Sequence, residues 1–377
     1  MTRYLNWLFL NVLVLASTNV FAHKASDSFI YLDQSHPEAA SVRIDVALRD
    51  LALALSLDSN GDGQLTGAEV KAGRAAITAF VEAGIHFRSE AGSCTLRGTE
   101  WGLANHSDGP YAAASYDIRC PGEVPVSAMD YDLLFDLDPL HRGLVQWTAV
   151  SGESLAVMGP DQQQLDLASA PPSVFATFTT FIYEGVVHLL IGLDHILFLL
   201  VLILPATFVH RRQRRMARDL REASFGARLW QLAGIVTAFT VAHSITLALA
   251  ALNIVQLPIA WVEMIIALSI VVAAVNVLWP ILGDKTWRLA FGFGLIHGFG
   301  FASVLGDLTS GVSQTVIALA GFNIGVELGQ LALLILVFPV LFLMGKYSMY
   351  ARAGVPAMIL VVSCISLYWV VERAGKL

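Results

Sequence analysis

Two regimes of hydrophobic patterning divide the chain. From about residue 180 onward, long apolar runs alternate with short polar ones, and six runs reach the ~20 residues a helix needs to cross the hydrocarbon core of a bilayer. They fall at approximately 185–208, 230–251, 259–282, 289–306, 315–343 and 354–371. Before residue 170 the runs are short. Segments 28–32, 41–46 and 131–137 alternate, or are rich in β-branched residues, and are bounded by turn residues, which predicts strands. The expected fold is an all-α polytopic membrane bundle of about six helices over 180–372. A mainly β domain over 23–172, built as a small sandwich, precedes it.

The first residues carry a different pattern. Arg3 supplies a positive start, residues 4–15 are apolar, and Val20-Phe21-Ala22 ends in the small-residue spacing of a cleavage site. Residues 1–22 therefore read as a secretory signal peptide, with an uncleaved anchor as the alternative. Cleavage would expose His23, whose amine and ring nitrogen together can chelate copper.

Composition sharpens this division. Of 377 residues, 56% are hydrophobic and only 14% charged, against about 25% charged in ordinary soluble domains. Residues 23–175 hold nine Lys/Arg against 21 Asp/Glu, whereas 176–377 hold 13 against nine. An acidic first half with no concentrated basic surface argues against nucleic acid as a partner; the lipid bilayer is the expected one. Basic residues also set orientation. Seven arginines, from Arg211 to Arg228, follow the first run; Lys285/Arg288 and Lys346/Arg352 follow the third and fifth. The intervening turns at 253–258 and 307–314 carry none. The expected location is a bacterial inner membrane, with the β domain and the C-terminus both periplasmic. Export suits a disulfide between Cys94 and Cys120, two free thiols being the alternative. Cys364, in an apolar run, reads as a small buried hydrophobe.

One insertion interrupts the β pattern. Residues 58–69 fit the twelve-residue EF-hand loop, with side-chain oxygens from Asp58, Asn60 and Asp62 at positions 1, 3 and 5 and Gly63 at the sharp turn. Gln64 would offer its carbonyl, Thr66 sits at position 9, and Glu69 would close the site as a bidentate ligand. Helical patterns flank the loop at 46–57 and 68–83. The expected ligand is Ca2+; the alternative is a decayed loop that merely turns. With no second loop to pair with it, a structural site is favoured over a cooperative sensor. His36, His86, His106 and His141 lack ligand spacing and read as surface or core residues.

Polar residues recur where lipid should be, and each ionisable one costs at least ~2.5 kcal/mol to insert. The first run carries Glu184, His188, Asp194 and His195; the second His243 and Ser244; the third Glu263 and Asn276; the fourth His297; the fifth Asn323, Glu327 and Gln330. Glu184, His188 and His195 share one helical face, as do Asn323 and Glu327. At ~1.5 Å per residue, His195, His243, His297 and Asn323 lie roughly 10–20 Å from the same side of the bilayer. Neutral imidazoles with carboxylates are the donors that nickel, cobalt, zinc or copper prefer. On an unbroken helix His188 and His195 would stand ~10 Å apart. Either Gly192 marks an irregularity, or the two are successive stations on a path. The alternative for each polar group is a hydrogen bond to a neighbouring helix. Gly292, Gly294, Gly298 and Gly300, and the Gly321/Gly325 pair, would allow close helix approach.

The stretch His188-Leu-Leu-Ile-Gly-Leu-Asp194-His195 resembles the first-helix signature of the HupE/UreJ family, His-Pro-x-x-Gly-x-Asp-His. The likeness continues through residues 239–247, 296–302 and 322–330 and covers most of 180–370. It implies a nickel or cobalt permease serving metalloenzyme maturation, with His188, Asp194 and His195 as ligands and His243 and His297 as their partners. A periplasmic metal-delivery or maturation partner goes with that. Leu189 stands where the family has proline. The fourth run has His297-Gly-Phe-Gly-Phe-Ala302, without the second His and the Glu of the smaller nickel permeases. Two other functions fit the same residues. One is an intramembrane zinc hydrolase assisted by Ser244 or Asp194; the other is a metal-insertion factor acting through its β domain.

Overall fold

The computed structural model describes residues 26–36, 39–106, 109–150, 152–168, 173–207, 224–252, 254–255, 257–279, 286–309 and 315–375, with 301–309 described by backbone alone. The signal segment, His23, most of the arginine-rich loop and Lys285 lie outside the described residues.

The first half is β-rich. Its elements run β1 (Asp27–Gln34), β2 (Ser41–Ala47), α1 (Leu48–Ala54), α2 (Gly67–Ala72), α3 (Arg74–Gly84), β3 (Ile85–Ser89), β4 (Gly92–Ser93), β5 (Thr95–His106), β6 (Gly109–Arg119), β7 (Ala128–Tyr131), β8 (Arg142–Ala149), β9 (Gly152–Met158) and β10 (Gln164–Asp166). One sheet has the order β5-β6-β2-β1-β8-β9, the other β10-β7-β3-β4. β1 pairs antiparallel with β2 and parallel with β8. Ile30, Ile44, Val145 and Trp147 of the larger sheet share one core with Phe87, Met129 and Tyr131 of the smaller and with Leu51, Ile77 and Val81 of the helices. The sulfurs of Cys94 and Cys120 are bonded, one residue beyond the Thr95–Arg119 pair that ends the β5–β6 hairpin.

Two local expectations fail here. Residues 131–137 are not a strand: β7 stops at Tyr131 and the chain turns, with Leu134 at φ 66°. Leu133, Leu134 and Phe135 are all buried in succession, in the turn rather than in a strand. Residues 46 and 47 belong to β2, so the helix before the loop is only α1. After the loop, α2 and α3 divide the expected helix at Gly73.

A polar knot lies inside the sandwich. His141 is fully buried, its two ring nitrogens hydrogen-bonded to the hydroxyls of Ser26 and Tyr131. Burial, together with the charges of Arg142 and Arg49, pushes its pKa down to about 3. Between that value and the ordinary ~6.5 the unfolded chain binds a proton that the folded chain refuses. Stability therefore falls as pH drops below about 6.5, by up to about 1.4 kcal/mol per pH unit from this group. Thermal unfolding of the β domain between pH 7 and pH 4 should show this slope, and His141→Asn should flatten it. An unchanged slope in the variant would remove the assignment.

The second half is helical: α4 (Val174–Ile191), α5 (Leu193–Thr207), α6 (Phe225–Ala251), α7 (Ile259–Leu278), α8 (Thr286–Thr309), α9 (Thr315–Met344) and, after a π turn at Tyr350–Gly354, α10 (Val355–Ala374). Among the described residues, five helices are long and apolar enough to span a membrane: α4, α6, α7, α9 and the π turn with α10. Large apolar side chains such as Trp230, Val316, Leu336 and Val371 are more than two-thirds exposed. A surface of that kind suits hydrocarbon as solvent. Cys364 is on it too: it is exposed rather than buried, because α10 turns that face outward.

The first run differs most from expectation. It begins earlier, with Ser173 accepting the Ala176 N–H as its cap, and it breaks at Gly192, whose ψ of 90° ends α4. Two close, parallel helix pairs frame the bundle. In α4 and α9, a Cβ at Gly321 would stand 2.6 Å from the Phe178 carbonyl, and one at Gly185 or Gly325 would collide with the facing backbone. In α6 and α8, Gly294 and Gly298 lie directly on the Phe239 and His243 carbonyls. The C-terminal end of α10 meets the N-terminal end of α7, where Arg373 donates to the Glu263 carbonyl (2.8 Å).

Candidate metal centre

The break at Gly192 builds the site. Gly192 N–H still bonds to the His188 carbonyl (2.9 Å), and α5 restarts at once at Leu193. The rings of His188 and His195 consequently stand 5.1 Å apart, half the separation on a continuous helix. No side chain fits at residue 192, where a Cβ would lie 2.8 Å from His195 Nδ1 and 3.1 Å from Asp194 Oδ1. The break forms with Leu189 in place of the family proline, so glycine suffices.

His195 is the hub. Its ring centroid lies 5.5 Å from that of His297 on α8 and 6.0 Å from that of His243 on α6. Phe239 stands 5.3 Å from His297 and 5.9 Å from His243, Phe198 5.2 Å from His297, and Phe322 5.3 Å from His188. Four imidazoles from four helices are thus enclosed by aromatic walls, and His195, His243 and His297 are buried.

Hydrogen bonds set which nitrogens are available. Asp194 Oδ1 accepts from His195 Nδ1 (3.0 Å) and from the His195 backbone N–H (2.9 Å). A carboxylate only accepts, so the proton is on Nδ1 and Nε2 carries a lone pair. Ser269 on α7 donates its hydroxyl to the Ile266 carbonyl (2.6 Å) and stands 3.2 Å from His297 Nε2. That nitrogen therefore donates to Ser269 Oγ, and Nδ1 of His297 keeps its lone pair. His195 Nε2, His297 Nδ1 and both ring nitrogens of His243 are buried and have no hydrogen-bond partner among the described residues. Unsatisfied buried nitrogens are costly; since a neutral His243 carries one N–H and one lone pair, three of these four nitrogens present a lone pair. The partners that His195 and His297 have on their other ring nitrogen, Asp194 and Ser269, match the arrangement by which proteins orient metal-binding histidines.

As they stand, no group of three His, Cys, Asp or Glu among the described residues has its donors close enough to hold an ion. Ligation at 2.0–2.1 Å would require the rings to close in. The remaining sequence-derived residues are placed differently. Asn323 donates to the Leu319 carbonyl of its own helix, and Glu327 accepts from Thr237 (2.6 Å). Gln330 accepts from Thr240 (2.9 Å), so α9 and α6 are joined by two side-chain bonds. Glu184 is engaged by Arg142 of β8, N to O 3.6 Å. Ser244 donates to the Thr240 carbonyl within α6. Ser269, Thr237, Thr240 and Arg142 escaped sequence reasoning. The three hydroxyls look like any helix-compatible Ser or Thr, and nothing local in the sequence ties Arg142 to a residue 42 positions away.

The sequence profile of the HupE/UreJ proteins matches residues 162–373, from the last strand of the β region to the end of α10. The chain belongs to the HupE/UreJ family. No curated protein matches it. The matched span of this HupE/UreJ protein contains every imidazole of the cluster, and β1 to β9 lie before it.

The loop at 58–69 has its own geometry. Asp58 accepts from Gly61 N (2.7 Å) and Gly63 N (2.8 Å), Asn60 from Asp62 N, and Asp62 from Gln64 N. Gly61 and Gly63 have φ of 72° and 76°, which draws the three side chains to one side and suits glycine alone. Glu69 is turned to Thr66 and Ser59 and forms a capping box at the start of α2. Those bonds hold its carboxyl down at about 2.

Proposed function

We propose that this membrane protein is a permease for a divalent transition-metal ion of the nickel/cobalt type, with His188, His195, His243 and His297 as the intramembrane ligands and Asp194 and Ser269 as the groups that orient them. The observation that carries this reading is the set of buried, unpartnered nitrogens on His195, His243 and His297. Imidazole donors without thiolates suit nickel, cobalt and zinc. A site reached through helices, with no nucleotide-binding motif, suits facilitated or ion-coupled passage. The β domain and C-terminus would face the periplasm, where the acidic domain raises the local cation concentration modestly. The test is flux into liposomes holding the purified chain, with Ni2+, Co2+ or Zn2+ outside. Uptake above that of protein-free vesicles is expected for at least one metal; none for any of the three would overturn the reading.

We further propose that the 58–69 loop takes one Ca2+ through Asp58, Asn60, Asp62, the Gln64 carbonyl, Thr66 and Glu69. Glu69 would leave its capping role and swing onto the ion. Calorimetric titration should find one calcium per chain, weakened roughly 100-fold in Glu69→Gln. At 100 times its dissociation constant, calcium should stabilise the β domain by about 2.7 kcal/mol. Equal titrations of wild type and variant would show that the loop only turns.

A further inference from the structure

One contact between the two halves of the molecule falls one helical turn before the imidazole cluster. Glu184 on α4 precedes His188 by four residues, so the two side chains share a face. Across from it stands Arg142, the first residue of β8, with Nε 3.6 Å from Glu184 Oε2 and both side chains less than one-fifth exposed. The guanidinium is fixed from behind. Its Nη1 donates to the His141 carbonyl (2.9 Å) and the Pro139 carbonyl (3.3 Å), and its backbone N–H bonds to the Ser26 carbonyl. Gly159 lies against it, where a Cβ would come within 3.4 Å of Nε. The β domain therefore presents one rigid positive group to the only carboxylate on α4.

We propose that Arg142 is a specificity-determining residue for ion access to the imidazole cluster. A bare, half-buried carboxylate attracts hard, oxygen-seeking cations such as Mg2+ and Ca2+. With the guanidinium on it, Glu184 offers these ions nothing, and the next donors inward are imidazoles, which they bind poorly. A softer divalent ion gains from those nitrogens and can displace the guanidinium on its way. This inference rests on the permease reading and adds to it which ions are refused and by which residue.

The test uses Mn2+ as the hard probe, counted by electron paramagnetic resonance on the purified full chain. Arg142→Gln should bind one Mn2+ more per chain than wild type. The extra ion should disappear in Arg142→Gln/Glu184→Gln, and Arg142→Lys, which keeps the charge, should stay at the wild-type count. In liposomes Mg2+ should inhibit metal uptake on the order of tenfold more strongly in Arg142→Gln than in wild type. Equal Mn2+ counts in wild type and Arg142→Gln overturn the proposal. Should Arg142→Gln fail to fold, Glu184→Gln decides. Its unopposed guanidinium should slow uptake several-fold while Arg142→Lys does not, and equal uptake in Glu184→Gln and wild type would overturn it. Failure of the permease reading looks different: wild-type liposomes then take up no metal, while the Mn2+ count still reports on Arg142.

Discussion

Gly298→Val is expected to unfold or grossly loosen the helical half, whereas Gly292→Ala, six residues earlier on the same helix, should be neutral or slightly stabilising. A Cβ at residue 298 would collide with Thr246 Oγ1 and the His243 carbonyl, whereas one at 292 meets nothing within 4 Å. Overpacking ordinarily costs 1–3 kcal/mol because flexible side chains give way. Here one of the opposing atoms is helix backbone, so α6 and α8 must separate along their length, and Gly294 on the Phe239 carbonyl would lose its contact as well. In a bilayer, where apolar burial does not hold helices together, close van der Waals contact is a main source of association. The loss should exceed about 3 kcal/mol, toward the upper end for core substitutions. Thermal unfolding in detergent measures it. Because α6 and α8 carry His243 and His297, the same substitution should also abolish metal binding. A Gly298→Val protein as stable as Gly292→Ala would mean that the two helices do not pack as described.

How much of this could be read from the sequence depended on whether a signal was local. Runs of apolar residues locate α6, α7, α9 and α10 to within a few residues, because lipid imposes length and composition on each helix by itself. The start of α4 was missed by eleven residues. Residues 174–184 include Thr177, Thr179, Thr180 and Glu184, which lower the hydropathy of a helix that the β domain partly covers. Gly192 was legible as one of two options, since His188 and His195 had to be either close or sequential. The structure takes the first, because a residue without a side chain lets His195 and Asp194 fold back on α4. Three imidazoles at one depth, those of His195, His243 and His297, were legible from helix arithmetic. Their tautomers were not, since these depend on contacts that no local pattern encodes, Ser269 of α7 beside His297 and the Asp194 carboxylate beside His195. Asn323 was grouped with the imidazoles by depth, and Glu184 and Glu327 by a shared face on their own helices. Depth says nothing about azimuth on a partner helix, and the structure joins them to Arg142, Leu319 and Thr237.

The difference between Asp194 as ligand and as orienting group leads to the second large effect. His195→Ala removes the ring from which the other three are reached at 5.1 to 6.0 Å, and metal uptake should fall to that of protein-free vesicles. Asp194→Asn keeps the size of the side chain. An asparagine oxygen can still accept from His195 Nδ1, so the tautomer with Nε2 free survives, but the negative charge that makes the imidazole more basic is gone. Removing such a partner typically costs 10–100-fold in metal affinity, and uptake at low metal should fall by that factor and recover at high metal. Asp194→Ala loses both the charge and the acceptor. Nothing then holds His195 in its tautomer or its rotamer, and the variant should approach His195→Ala. Graded loss in the order Asn, Ala, His195→Ala is the signature of a carboxylate that acts through the histidine. If Asp194→Asn alone abolished uptake at every metal concentration, the carboxylate would be bound to the ion itself. His195 would then have Nδ1 rather than Nε2 turned to the metal, and the arrangement of donors derived from the hydrogen bonds would be wrong.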